Sequence, residues 1–190
     1  MFTGFEITRS DVQDGLESKQ PDSKTAIFQV SDSKAPPWET GSLSTVFLPK
    51  MNGFTTRNGG LEGKEHPETG VPFERKTVKD ADGNDAEGVF PVFDHVFDLQ
   101  LPSELYKASD AKQFDECNKQ LKKAVENDPE LVKKFTPEQL EQIENEDTPD
   151  GYTWHHNEET GKMQLVDSVI HAKTGHTGGK SIWGGGQENR

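Results

Sequence analysis

Between Thr148 and Gly179 the chain is punctuated so closely that only short elements fit. Thr148-Pro-Asp-Gly151 breaks whatever precedes it, Tyr152-Thr-Trp-His-His156 is aromatic and β-prone, and Asn157-Glu-Glu-Thr-Gly161 reads as a turn. Lys162-Met-Gln-Leu-Val166 reads as a second strand, and Asp167 can cap a helix running through Val169, Ile170 and His171. The order predicts a strand, turn, strand, helix unit, ββα. Four of the six histidines fall within this stretch: His155, His156, His171 and His176. Near-neutral imidazoles both bind divalent metals and move protons, so the segment is the first place to look for a site.

Geometry divides the four. On a regular strand His155 and His156 point to opposite faces. His171 and His176 are separated by about 140° on a straight helix of 3.6 residues per turn. A helix ending near Thr174-Gly175 removes that obstacle, because His176 can then fold back toward His171. One of the adjacent pair can join His171 and His176 on a metal while the other faces a substrate. This division suits phosphodiester hydrolysis. A cation with three protein ligands keeps positions for a phosphate oxygen and the leaving 3′ oxygen, and a neutral imidazole takes the proton of the attacking water.

Bulk properties narrow the alternatives. With 29% hydrophobic residues over 190 positions and a mean hydropathy of -0.88, the chain suits one ordinary domain with an extension, or two small ones. Cys117 is the sole cysteine, which excludes an internal disulfide and a four-thiolate zinc site, so histidine or oxygen must hold any metal. No apolar run is long enough to span a membrane, and Met1-Phe-Thr-Gly-Phe-Glu6 lacks the basic start and apolar stretch of a secretory signal. The net charge of -13 opposes polyanion binding. From Gly151 onward four basic and four acidic side chains balance, so all of the excess lies in residues 1–150.

Upstream, residues 1–70 read as a loop-rich region or leader, with short strands at Ala26–Val30 and Leu43–Leu48 and a turn or linker from Asn58-Gly-Gly60 through Gly63. Residues 71–190 read as the functional domain, divided into a hairpin with helices (71–147) and the ββα motif (148–190). Val71–Val78 and Val89–Leu99 flank an Asp82-Gly83-Asn84 turn, with Phe90, Val92, Val96 and Leu99 as core candidates and His95 as a packed core group. Ser109 can cap a helix whose stripe is Phe114, Cys117, Leu121 and Val125, ended by Asp128-Pro129. Thr136-Pro-Glu-Gln139 is a capping box, followed by inward Leu140 and Ile143 and a solvated charge run from Glu141 to Asp147. Trp154 is expected to pack on the preceding helices, and Trp183 either to pack or to line a groove.

The string Tyr152-Thr-Trp-His-His, then Gly161-Lys-Met-Gln-Leu-Val, a following His and His176-Thr-Gly-Gly resembles the WHH branch of the HNH and endonuclease VII superfamily over about residues 148–186. These ββα-metal nucleases are commonly C-terminal domains of bacterial polymorphic toxins. The resemblance implies an α+β fold, with a ββα-metal motif packed on a small helical subdomain and a loop-rich N-terminal region carrying short strands. It implies a DNA endonuclease, with RNA also possible as substrate, using one divalent ion (Mg, Mn, Zn or Ni). His155, His171 and His176 take the ligand positions, His156 the general base, and Gln164 the place of the middle Asn that orients the base and holds the loop. Asp167 stands where the family usually has Pro, and either residue can start a helix. Phosphate contacts are expected from Lys162, Lys173, Lys180 and the backbone amides of Thr177-Gly-Gly179. The resemblance further implies a cognate immunity protein and a secreted effector without a Sec-type signal, acting in the cytoplasm of a target bacterium. Two other functions fit the same residues: a non-catalytic domain with a structural metal site, and an acidic partner-binding protein with a decayed nuclease site.

Overall fold

Met163, Gln164, Leu165 and Val166 are buried in succession, a run that suits a strand covered on both faces. The computed structural model describes residues 52–53, 55–80 and 82–189. Its elements are β1 (Asn52–Gly53), β2 (Phe73–Lys79), β3 (Asp85–Pro91), β4 (His95–Gln100), α1 (Asp110–Asn127), α2 (Pro129–Val132), α3 (Pro137–Glu144), β5 (Tyr152–His156), β6 (Lys162–Asp167), α4 (Ser168–Lys173) and α5 (Gly179–Ile182). The buried run is β6, the middle strand of an antiparallel sheet ordered β4-β6-β5. A second sheet is ordered β1-β3-β2, with β1 parallel to β3 and β2 antiparallel to it. The fold is α+β, as expected. The strands expected at residues 26–30 and 43–48 lie outside the described residues.

The β2–β3 turn follows from its sequence. The Asp80 carboxylate accepts the backbone N–H groups of Asp82 and Asn84, both at 2.9 Å, and Gly83 takes a φ of 83° that a side chain would oppose. The apolar run from Val89 to Leu99, expected as one strand, is two. β3 ends at Pro91, and β4 resumes in the other sheet. Phe90 is fully buried, whereas Val92, Val96 and Leu99 are only half-buried, Val96 and Leu99 against the core.

His95 is not the packed core group expected. A register shift between His95 and Phe97 leaves its side chain 36% exposed. Its Nδ1 lies 3.2 Å from the Gln164 amide nitrogen and 3.3 Å from the Phe93 carbonyl.

The helices form where the caps and stripes place them. Ser109 accepts the Lys112 N–H, Asp128 caps α2, and Thr136 with Gln139 closes a capping box at α3. Cys117 and Leu121 are fully buried, with Phe114 and Val125 packed beside them. Burial pushes the Cys117 thiol up, so it stays protonated and inert.

α1 also buries Asn118, whose Oδ1 accepts the Trp154 indole N–H at 2.8 Å and the Thr148 hydroxyl at 3.1 Å. That clamp fixes β5 against the helix. Trp183 resolves to packing too: its indole N–H donates to the Asn157 carbonyl at 2.9 Å and its ring meets Tyr106.

Leu121→Ala removes a side chain with no exposed surface and should cost about 2–5 kcal/mol. Urea unfolding should show a lower midpoint at unchanged slope.

Candidate metal centre and flanking histidine

Three local instructions bring the imidazoles together. β5 puts His155 and His156 on opposite faces. The Asp167 carboxylate accepts the N–H groups of Val169 (2.9 Å) and Ile170 (2.8 Å), so α4 begins where β6 ends and His171 follows one turn later. α4 is only six residues long and stops at Thr174, whose N–H still bonds to Ile170. Past Gly175 the chain folds back and delivers His176. Gly175 has a second job. A Cβ there would lie 2.6 Å from Nε of Arg57, so the guanidinium in its present position lies over a point of the loop that carries no side chain.

The ligand nitrogens of His155, His171 and His176 all lie within 4.8 Å of one another. His155 Nδ1 and His171 Nε2 are 3.2 Å apart. His176 Nδ1 donates to the Thr174 carbonyl at 2.6 Å, which fixes its tautomer and leaves Nε2 as the lone-pair nitrogen. Buried Phe93 walls the cluster, its ring centroid 4.8, 5.5 and 5.2 Å from those of His155, His171 and His176.

Burial is the main reason that all three rings titrate low. The His155 pKa falls well below its usual value through desolvation, with further depression from the other histidines and Lys76. Burial and then His176 push His171 down to about 4. For His176 burial again leads. Its bond to Thr174 and the Glu158 charge oppose the shift, and Arg57 adds to it. Neutral imidazoles are the metal-binding form. His155 Nε2 is buried without a hydrogen-bond partner. A depressed, converging and incompletely satisfied donor set fits a divalent cation.

His156 lies outside this cluster, mostly buried, with its Nε2 2.8 Å from Gln113 Oε1 and 3.8 Å from Asp110 Oδ1. Yet it shares one cavity of about 170 Å³ with the other three histidines, Gly178 and Lys180. That volume is too small to enclose a whole small-molecule ligand. It admits a cation and one group of a larger substrate. A bigger open groove, about 810 Å³, runs along β4 and α1 past Phe97, Leu99 and Lys119, and none of the four histidines lines it.

The remaining sequence candidates are distributed as follows. Gln164 is buried opposite His155 in the sheet, accepts from the Asn157 amide at 3.0 Å and faces His95. Asn157 in turn accepts the Glu159 N–H, so Gln164 braces the β5–β6 turn. Lys180 is 3% exposed. Its ammonium donates to the Ala108 carbonyl and Gln113 Oε1, at 2.8 and 2.9 Å, and pairs with Asp110 at 3.0 Å. Its charge is directed at the start of α1 rather than at solvent. Lys173 is exposed and pairs with Glu68 at 3.0 Å. Lys162 pairs with Glu159 and Asp98.

Three residues at the site escaped sequence reasoning. Gln113 carried a signal: it stands one turn before Cys117 on the buried stripe of α1, where a polar residue is out of place. Phe93 sits beyond the end of β3, outside any alternation. Arg57 is distant in sequence, with its backbone N–H donating to the Thr177 hydroxyl at 2.9 Å, while Asn58 donates to the Gly175 carbonyl.

Over residues 82–178 the chain matches the family described as the DNase/tRNase domain of colicin-like bacteriocin. No curated protein and no solved structure matches it. The matched span holds the ββα unit and all four of its histidines.

The depressed pKa values carry a pH signature. A ring whose folded pKa lies below its unfolded value stabilises the fold fully only above the unfolded pKa, because the unfolded chain binds protons first. Metal-free protein should therefore lose melting temperature as pH falls from 6.5 toward about 4. Replacing His171 with Gln should flatten that slope, as read by thermal melts in chelator.

Proposed function

The chain belongs to the DNase/tRNase domain family of colicin-like bacteriocins, a family of nuclease toxins, and on that premise we propose that it is a metal-dependent, HNH-type DNA endonuclease. The observation that carries this reading is the partition of four histidines in one cavity, three converging as neutral ligands and the fourth held on the opposite strand face. His155, His171 and His176 would hold one divalent cation, Mg, Mn, Zn or Ni. Such a cation would supply Lewis-acid stabilisation of charge on the phosphate and the leaving 3′ oxygen. Among the described residues no fourth His, Cys, Asp or Glu joins the cluster. This supports an open, catalytic site over a closed structural one.

His156 is the general base in this reading, taking the proton of the attacking water. The Arg57 guanidinium beside Gly175 is suited to the phosphate. Lys173 and Lys162 are tied up only in surface ion pairs, each worth about 0–1 kcal/mol, and can exchange a carboxylate for a phosphate at little cost. Lys180 acts from within, through its field and its hold on α1, and Gln164 keeps the turn after the base in place. Arg57, Asn58 and Thr69 bond to Thr177, Gly175 and Thr174, which supports counting residues from 55 onward with the nuclease domain rather than with a leader.

The family supports a secreted toxin acting on target cells, with a cognate immunity protein as partner and the target bacterium's cytoplasm as the place of action. No helix among the described residues is long and apolar enough to cross a membrane. With a net charge of -13, DNA affinity should be weak and salt-dependent.

Supercoiled plasmid and total tRNA, each incubated with the protein and Mg, Mn, Zn or Ni, test the reading. Plasmid should be nicked, and chelator should stop the reaction. His156→Ala should lose about 10²–10⁴-fold in rate while still binding metal. An inert wild type on both substrates removes the nuclease function, cleavage of tRNA alone moves the substrate to RNA, and equal rates for wild type and variant remove the base.

A further inference from the structure

Gln113 is a fully buried amide on α1, and each of its polar atoms has a defined partner. Its Nε2 donates to the carbonyls of Leu105 (2.8 Å) and Tyr106 (2.9 Å). Its Oε1 accepts from the Lys180 ammonium at 2.9 Å and lies 2.8 Å from Nε2 of His156. The amide cannot be turned over. A flip would set its N–H groups against an ammonium and its oxygen against two carbonyls, leaving buried groups unsatisfied. The atom facing His156 is therefore the oxygen, which can only accept. His156 accordingly carries a hydrogen on Nε2, and in the neutral ring Nδ1 carries the lone pair.

We propose that Gln113 is a positioning residue that holds His156 in the Nε2–H tautomer and so makes Nδ1 the atom that receives the proton of the attacking water. Its catalytic consequence rests on the nuclease reading; the tautomer itself does not. In that step the proton passes from water to Nδ1 as the new oxygen–phosphorus bond forms. The bond to the 3′ oxygen breaks, and that oxygen is protonated from solvent. Throughout, Nε2–H stays on Gln113. Lys180 secures the arrangement, because its bonds to the Ala108 carbonyl and to Asp110 fix the ammonium that holds the Gln113 oxygen in place. Neither residue belongs to the hairpin that bears the base.

The first test needs no variant. Nitrogen-15 correlation spectra of the zinc-loaded wild-type protein should show His156 protonated on Nε2; protonation on Nδ1 would falsify the proposal whatever the activity. The second is kinetic. Gln113→Met should lower kcat for plasmid cleavage about 10–100-fold, with KM and zinc affinity unchanged and the tautomer signature lost. Gln113→Glu, which keeps an acceptor toward His156 and Lys180 but sets its second oxygen against the Leu105 and Tyr106 carbonyls, should melt at a lower temperature yet keep the Nε2–H signature and a higher kcat than Gln113→Met. A folded Gln113→Met with wild-type kcat overturns the proposal, and if that variant fails to fold, the wild-type spectrum decides. A wild type that shows the Nε2–H tautomer but cleaves no nucleic acid supports the positioning and removes the nuclease reading instead.

Discussion

Imidazoles gathered within 4.8 Å repel one another as soon as two of them take protons, so the cluster persists only where the surrounding chain favours the neutral form. Desolvation does this, and it places strict demands on the scaffold. Phe93 must exclude water on one side, Thr174 must fix one ring through its carbonyl, and β5 must keep its register against β6. A one-residue slip of that register would send His155 to the face now held by His156. The Trp154–Asn118 bond guards against it from the middle of β5, and the Gln164–Asn157 bond from just past its end. Much of the polar interior thus serves to hold one pairing.

The acidic body and the polyanionic substrate are reconciled by where the cations sit. Arg57, Lys76 and Lys180 are drawn in around the histidines: Arg57 and Lys76 depress the titration of His176 and His155, and Lys180 lines the shared cavity. Glu158 tempers this set through its ion pair with Lys76. Screening confines surface charge effects to about 8–10 Å at ordinary ionic strength, so a distant acidic face hinders the approach of DNA more than it alters the chemistry once a phosphate is seated.

The hairpin, its helix and the fold-back at Gly175 could be read from the sequence because each is specified within a few residues by a turn, a cap or a breaker. Asp167 served as the helix start despite departing from the family's usual residue. What could not be read depends on contacts between segments far apart. His95 looked apolar by its neighbours, but a bulge turned it outward. Lys180 looked like a phosphate ligand beside two glycines, but its ammonium is committed to α1. Arg57 had no local pattern to reveal it, since the loop it meets at Gly175 and Thr177 lies more than a hundred positions later. Gln113 was the near miss, a polar residue on an apolar stripe.

The strap formed by Arg57 and Asn58 lies before the family-matched span, and the Lys180 and Trp183 anchors lie after it. The segment that carries the family signature is thus shorter than the segment whose contacts close the site. A fragment cut at the edges of the matched span would keep all four clustered histidines, yet leave behind Arg57 at the loop and Lys180 beside Gln113 and His156. The unit that must fold together is therefore set by the hydrogen bonds that close over its site, and it extends beyond the recognisable motif on both sides.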